Sequence, residues 1–134
     1  MKRIEHLGIA VKSLEEAIPM YEALLNTPCY KREGVASEGV MTAFFQIGES
    51  KIELLEATNE ASPIAKFLSK NGPGFHHVAM EVENIEQEIS RLQAAGFQLI
   101  HEVAKDGADN KRIAFLHPKS TGSLLVEICQ EKNA

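Results

Sequence analysis

The sequence lacks tryptophan, has two cysteines, and contains no long run of hydrophobic residues. Without about 20 consecutive apolar residues, no membrane-spanning helix is expected. Cys29 and Cys129 lie far apart and form no C-x-x-C pair, so neither a disulfide framework nor a cysteine zinc site is predicted. We interpret both cysteines as packing residues of an intracellular protein.

A surplus of positive charge is also missing. The chain carries 14 Lys and Arg against 19 Asp and Glu, for a net charge of −5, and has no dense basic run. Nucleic acid is therefore not an expected partner, because its binding depends on clustered positive charge. The short apolar run near the N-terminus ends at Lys12 without a cleavage site, so we predict a cytoplasmic location.

The composition indicates one folded domain. The 134 residues are 44% hydrophobic and 25% charged, which is typical of a globular protein. This length allows one compact core and is too short for two independent domains of ordinary size. We therefore expect residues 1–134 to form a single domain.

The first half of the chain reads as a strand, a helix and three further strands. Alternating residues from Ile4 to Val11 predict the first strand, and Ser13 with Glu16 forms a capping-box pattern for the following helix. Pro19 counts against a straight helix. The further strands are predicted near residues 30–35, 40–47 and 51–56.

The second half repeats this order. A connecting helix is predicted from Pro63, over about residues 62–71, before a helix that begins at Asn84 and ends at Gly96. The strands of this half are predicted near residues 75–82, 98–103, 112–117 and 123–130. The fold class is thus α+β, with two tandem βαβββ units at about residues 3–58 and 74–131.

The two halves also match residue by residue. His6 to Val11 aligns with His77 to Val82 at an offset of 71, and Ile52 to Leu54 aligns with Val126 to Ile128 at an offset of 74. Offsets this similar indicate one duplicated unit with small differences in loop length.

Strand alternation separates the repeated histidines from the predicted core. His6 shares a face with Gly8 and Ala10, opposite an aliphatic face suited to packing under a helix. The same alternation selects His77 and places His76 on the core side. A lone strand histidine is usually structural, but repetition at equivalent positions favours a shared role. His101 and His117 are interpreted as structural or exposed residues.

Two glutamates occupy equivalent positions in the last strand of each half. Glu127 lies inside an apolar run, where an unpaired carboxylate would be costly to bury. Glu53 alone could equally face solvent. Together with His6 and His77 they form a ligand set suited to a divalent transition metal with positions open for water or substrate. The sequence therefore predicts a metal site formed by His6, Glu53, His77 and Glu127.

With these features the chain resembles the vicinal oxygen chelate (glyoxalase/bleomycin resistance/dioxygenase) superfamily, and most of all its methylmalonyl-CoA epimerases. The resemblance rests on residues 6–11, 51–55, 62–68, 74–79 and 117–120, followed by 125–127. It implies a cupped, mostly antiparallel eight-stranded sheet with helices outside. It also implies one divalent ion per site, no organic cofactor, and a homodimer. The mixed nitrogen and oxygen ligands are compatible with Co, Mn, Ni or Zn.

The same resemblance implies inversion of an acyl-CoA substrate at its α-carbon by proton removal and return through a metal-stabilised enolate. Glu127 and Glu53 are the expected catalytic residues, and Lys119 and Ser120 are expected to contact an anionic substrate. One departure stands out. Some bacterial epimerases that this chain resembles carry a second catalytic glutamate three residues after a glycine, where this sequence has Thr42.

Three other functions are compatible with this fold, and two of them, a lyase and a binding protein, stay open. A lactoylglutathione lyase shares the fold and would act on a thiol conjugate, but Ala10 stands where that family usually has arginine, and His117 to Ser120 replaces its usual acidic turn. A ring-cleaving dioxygenase would leave Glu53 surplus. A non-catalytic binding or resistance protein of the same fold would have no evident need for buried paired carboxylates.

Overall fold

The computed structural model describes residues 1–132. None of the helices in this range combines the length and apolar character needed to cross a membrane. The elements are β1 (Arg3–Ala10), α1 (Leu14–Leu25), β2 (Lys31–Val35), β3 (Val40–Ile47), β4 (Ser50–Ala57), α2 (Pro63–Asn71), β5 (Gly74–Glu81), α3 (Ile85–Ala94), β6 (Lys105–Gly107), β7 (Lys111–Leu116) and β8 (Val126–Glu131). The predicted βαβββ order therefore occurs twice, with α2 between the repeats.

Contacts divide the chain into two compact units. The first, which we call the N-unit, contains residues 6–76, and the C-unit contains residues 1–5 together with the described residues 77–132. The connecting helix α2 thus belongs to the N-unit. The first residues of β1 associate with the C-unit, where the Lys2 amide donates to the Glu81 carbonyl over 2.8 Å.

The N-unit has the strand order β2-β3-β4-β1, in which β1 and β4 are parallel and the other pairs antiparallel. Helix α1 begins at the predicted cap, where Ser13 accepts a hydrogen bond from the Glu16 amide, and continues through Pro19. One apolar core joins this helix to the strands. Its buried members are Val11, Leu14, Ala17, Ala43, Phe45 and Leu54.

The C-unit repeats this architecture. Its strand order is β5-β8-β7-β6, with β5 and β8 parallel, and α3 packs on the strands through a buried core. The buried members of that core are Val82, Ile85, Ile89, Leu92, Leu99, Ala114, Leu116 and Ile128. The parallel pairs match across the repeat, because Gly8 lies opposite Glu53 and Ala79 lies opposite Glu127.

One predicted strand is wrong. Residues 98–103 were expected to form a strand, but the structure has a single bridge there, between Leu99 and Leu116, and places β6 at Lys105–Gly107. The segment follows β7 for only a few residues: the Ile100 amide donates to the Phe115 carbonyl and the His117 amide donates to the Gln98 carbonyl, each over 2.7 Å. Apolar alternation alone does not distinguish such a short edge contact from a strand.

Within the C-unit, Glu81 fixes the first residues of β1 to the end of β5. Its Oε1 accepts from Arg3 Nη2 at 2.9 Å, and Lys2 Nζ lies 3.6 Å from Oε2. Burial raises the pKa of Glu81, but hydrogen bonding and charge from Arg3 and Lys2 outweigh burial and hold the pKa below its ordinary value of 4.5. The ionised carboxylate therefore stabilises this attachment.

We predict that Glu81→Gln lowers the free energy of unfolding at neutral pH by about 1 kcal/mol, since the pairs are partly exposed. A lowered folded pKa means that the contribution is present above pH 4.5 and is lost as the pH falls through that lower pKa. Urea unfolding at neutral and acidic pH measures both effects. The matched control is Glu83→Gln, an exposed neighbour that should change little; an equal loss in both variants would contradict this role for Glu81.

Candidate active site

A histidine and a glutamate form a buried pair in the N-unit. His6 Nε2 lies 3.1 Å from Glu53 Oε1, and both residues are only 5% exposed. The strand register explains this pair. Parallel β1 and β4 place Gly8 opposite Glu53, and His6, two residues before Gly8, lies on the same face of the sheet. On the other side of Glu53, antiparallel β3 places Phe44 directly opposite.

The C-unit contains the same pair in the same setting. His77 Nε2 lies 3.1 Å from Glu127 Oε1, and both residues are buried. Phe115 of β7 lies opposite Glu127, as Phe44 lies opposite Glu53. The Phe115 ring also contacts the His77 ring edge-on, with 5.4 Å between ring centroids. Each unit therefore supplies one imidazole and one carboxylate, held between strands and beside an aromatic side chain.

The structure also supports the strand alternation inferred from the sequence. Ile9 and Val11 belong to the core under α1, on the face opposite His6. It is His77 that pairs with Glu127, whereas His76 contacts the Phe67 ring of α2 edge-on, with 4.9 Å between ring centroids. Alternation thus selected the histidine that lies beside a glutamate.

The chemistry of these residues fits a divalent metal. His6, His77 and Glu127 are buried, and each offers one ligand atom, an imidazole nitrogen or a carboxylate oxygen. Glu53 offers another carboxylate beside His6. Mixed nitrogen and oxygen ligands suit Zn, Co, Ni and Mn, and burial strengthens the interaction of carboxylates with a cation.

The side chain of Thr42 has a structural role. It is buried on β3, and its Oγ1 donates to the Glu33 carbonyl over 2.7 Å. Glu33 is its partner across the antiparallel strands β2 and β3. The Thr42 hydroxyl therefore supports the edge strand β2.

Lys119 and Ser120 lie in a short 3₁₀ turn, Pro118–Ser120, ahead of β8. Ser120 Oγ donates to the His117 carbonyl over 2.9 Å and accepts from the Gln98 amide at 3.1 Å. The Lys119 amide donates to His117 Nδ1 over 3.1 Å, while the lysine side chain is exposed. Ser120 thus has a structural role in the turn, and substrate contact by either residue stays a prediction.

The sequence reasoning missed the two phenylalanines opposite the glutamates. Phe44 and Phe115 are separated by 71 positions, the same offset that relates His6 to His77. Extending the comparison of the two halves to the middle strands would have found them. No motif marks these residues, because a phenylalanine on a strand is ordinary core material.

Comparison with known proteins gives a consistent result. The family model described as "Glyoxalase/Bleomycin resistance protein/Dioxygenase superfamily" matches residues 5–115. An ethylmalonyl-CoA/methylmalonyl-CoA epimerase of Cereibacter sphaeroides is 39% identical over 96% of this chain and 97% of its own length. The human mitochondrial methylmalonyl-CoA epimerase is 38% identical over 96% of this chain and 73% of its own length.

A solved structure extends the similarity to the fold. A methylmalonyl-CoA epimerase variant of Streptomyces coelicolor, in complex with 2-nitronate-propionyl-CoA, matches 100% of this chain and 97% of its own with a TM-score of 0.96 and 30% identity. The predicted α+β fold class, with two βαβββ units and eight mostly antiparallel strands, is confirmed.

We predict that His6→Ala, His77→Ala and Glu127→Ala each sharply reduce the amount of bound divalent metal, because each removes one ligand. His76→Ala should leave metal content unchanged and serves as the matched control. Metal analysis of the purified variants measures this. Equal metal content in all four variants would contradict the assignment of the ligands.

Thr42→Val should lower the free energy of unfolding by about 1 kcal/mol, because it removes a buried hydrogen bond while nearly keeping the side-chain volume. It should not change the amount of bound metal, since the hydroxyl bonds to the backbone of β2. Urea unfolding and metal analysis test the two parts. A large loss of metal at unchanged stability would instead assign Thr42 to the site.

Proposed function

We propose that this chain, which belongs to the glyoxalase/bleomycin resistance protein/dioxygenase superfamily, is a metal-dependent epimerase that inverts the α-carbon of methylmalonyl-CoA. The observation that carries the proposal is the buried histidine–glutamate pair repeated in both units of a chain 38% and 39% identical to epimerases. These relatives confirm the enzyme class predicted from the sequence, an isomerase of the racemase and epimerase type.

The proposed metal ligands are His6, Glu53, His77 and Glu127, which together would hold one divalent ion, Co, Mn, Ni or Zn. When bound, such a cation supplies a Lewis acid that stabilises negative charge on the substrate oxygens as the α-proton leaves. The support for a single shared ion is chemical: each unit contributes the same pair, and neither pair alone reaches the three protein ligands that are typical of catalytic metal sites.

Side chains of the protein carry out the proton transfers. Epimerisation requires one group to remove the α-proton and a second to return a proton to the opposite face. We assign removal to Glu127, which starts as the carboxylate, and return to Glu53, which must start as the carboxylic acid, because these are the buried acidic groups of the repeated pairs. After one inversion Glu127 holds the removed proton and Glu53 is ionised, so the two groups exchange roles for the reverse reaction. Phe44 and Phe115, directly opposite them, limit the access of water to the carboxylates.

Recognition of the substrate and assembly belong to the same proposal. A thioester that carries a carboxylate and a coenzyme A moiety is anionic, and Lys119 and Ser120 are the residues that we expect to contact it. The homodimer and the cytoplasmic location stay predictions, and the human relative is named as mitochondrial.

The decisive experiment incubates the metal-loaded protein with methylmalonyl-CoA in heavy water and follows deuterium entry at the α-carbon by NMR. We expect rapid exchange that a chelator abolishes and added metal restores. At a metal concentration that gives the same occupancy as in the wild type, Glu127→Gln should reduce the exchange rate about 100-fold or more, within the range for loss of a general base.

The absence of exchange with each of the four metals would overturn the proposal. The same preparation should then be tested with a glutathione hemithioacetal, whose conversion would identify glyoxalase chemistry instead. Normal ligand binding by a metal-free protein would indicate a binding protein of this fold.

A further inference from the structure

His101 completes the hydrogen bonding of the sheet edge beside the His77–Glu127 pair. Strand β7 is bordered on its outer side by β6, whose pairing with β7 covers Lys111 to Ile113. Beyond that point the Phe115 carbonyl accepts from the Ile100 amide, but the Phe115 amide donates to a side chain, His101 Nδ1, at 3.1 Å. The imidazole thus replaces the carbonyl that a neighbouring strand would provide.

The tautomer of His101 follows from this bond. A backbone N–H can only donate, so His101 Nδ1 must be the unprotonated nitrogen of a neutral imidazole. The ring of His101 also contacts the ring of Phe115, with 5.8 Å between centroids. Both the backbone and the ring of Phe115 are therefore held by one side chain.

Phe115 transmits this constraint to the metal-ligand pair. It lies directly opposite Glu127 across β7 and β8, and its ring contacts the His77 ring at a T-shaped angle of 78°. A residue so placed limits the rotation of the His77 imidazole and fixes the strand that faces Glu127. Displacement of the Phe115 backbone would loosen both ligands together.

We propose that His101 is a positioning residue, which acts through Phe115 to hold His77 and Glu127 in the geometry that binds the metal. The inference rests on the proposed metal site and extends it to a residue that accepts a hydrogen bond from the backbone of Phe115. Outer residues that orient metal ligands commonly change metal affinity by about 10- to 100-fold when they are replaced.

In the N-unit, Phe44 is the counterpart of Phe115, and backbone pairing holds it without a histidine. There the Tyr30 amide donates to the Phe44 carbonyl over 3.0 Å, and the Tyr30 ring contacts the Phe44 ring at 6.0 Å. Strand β2 continues the pairing as far as Phe44, which lies opposite Lys31. The shorter strand β6 of the C-unit pairs with β7 only at residues 111–113. At Phe115 the hydrogen-bond acceptor is therefore the side chain of His101.

The test compares two polar substitutions of His101. Asn places its Oδ1 near the position of the imidazole Nδ1, whereas Gln places its oxygen one bond farther away. We expect His101→Gln to weaken Co²⁺ binding about 10-fold and to speed hydrogen exchange of the Phe115 amide, and His101→Asn to restore most of both. Co²⁺ affinity is measured by chelator competition, and amide exchange by NMR on the metal-free protein.

Ile100→Ala is the matched control, because it changes an exposed neighbouring side chain and keeps the backbone bond to Phe115. It should bind Co²⁺ as the wild type does. Equal affinity in wild type, His101→Gln and His101→Asn would overturn the positioning role while leaving the metal site intact, and equal losses in the Asn and Gln variants would also overturn it. A wild-type protein that binds no Co²⁺ would overturn the proposed metal site and this inference with it.

Discussion

A carboxylate buried on a sheet must be compensated, and this protein compensates Glu53 and Glu127 with an imidazole on the adjacent parallel strand. Leaving a charged group unpaired in the interior would cost several kcal/mol, which is comparable to the total stability of a small domain. The pairs Glu53 with His6 and Glu127 with His77 satisfy that requirement. They also place in each unit the imidazole and the carboxylate to which we assign metal binding and, for the carboxylates, proton transfer.

The strand pairing explains why the same pair forms twice. In each unit the first and last strands are parallel, and the residue two positions after the histidine lies opposite the glutamate. Antiparallel pairing on the other side of the last strand then places a phenylalanine opposite that glutamate. A shift of one residue in either register would turn the glutamate to the helix-covered face, so the duplication preserves the chemistry by preserving the register.

The edges of the two units show where the repeat is not preserved. In the N-unit, β2 borders β3 over five residues, and Tyr30 precedes it. In the C-unit, β6 is three residues long, and residues before it contact β7 through Leu99, Ile100 and the side chain of His101. The prediction of a strand at residues 98–103 failed here because pairing at an edge depends on the neighbouring chain more than on local propensity.

The sequence by itself determined the α+β class, the two repeats, most element positions, and the four residues of the buried pairs, because burial imposes a period of two on strands and duplication marks equivalent positions. Only the tertiary structure decided that Pro19 is accommodated within α1 and that Thr42 bonds to the β2 backbone. It also decided that Phe115 lies opposite Glu127 and that its amide donates to His101. These features depend on contacts between residues distant in the chain, for which local sequence carries no periodic signal.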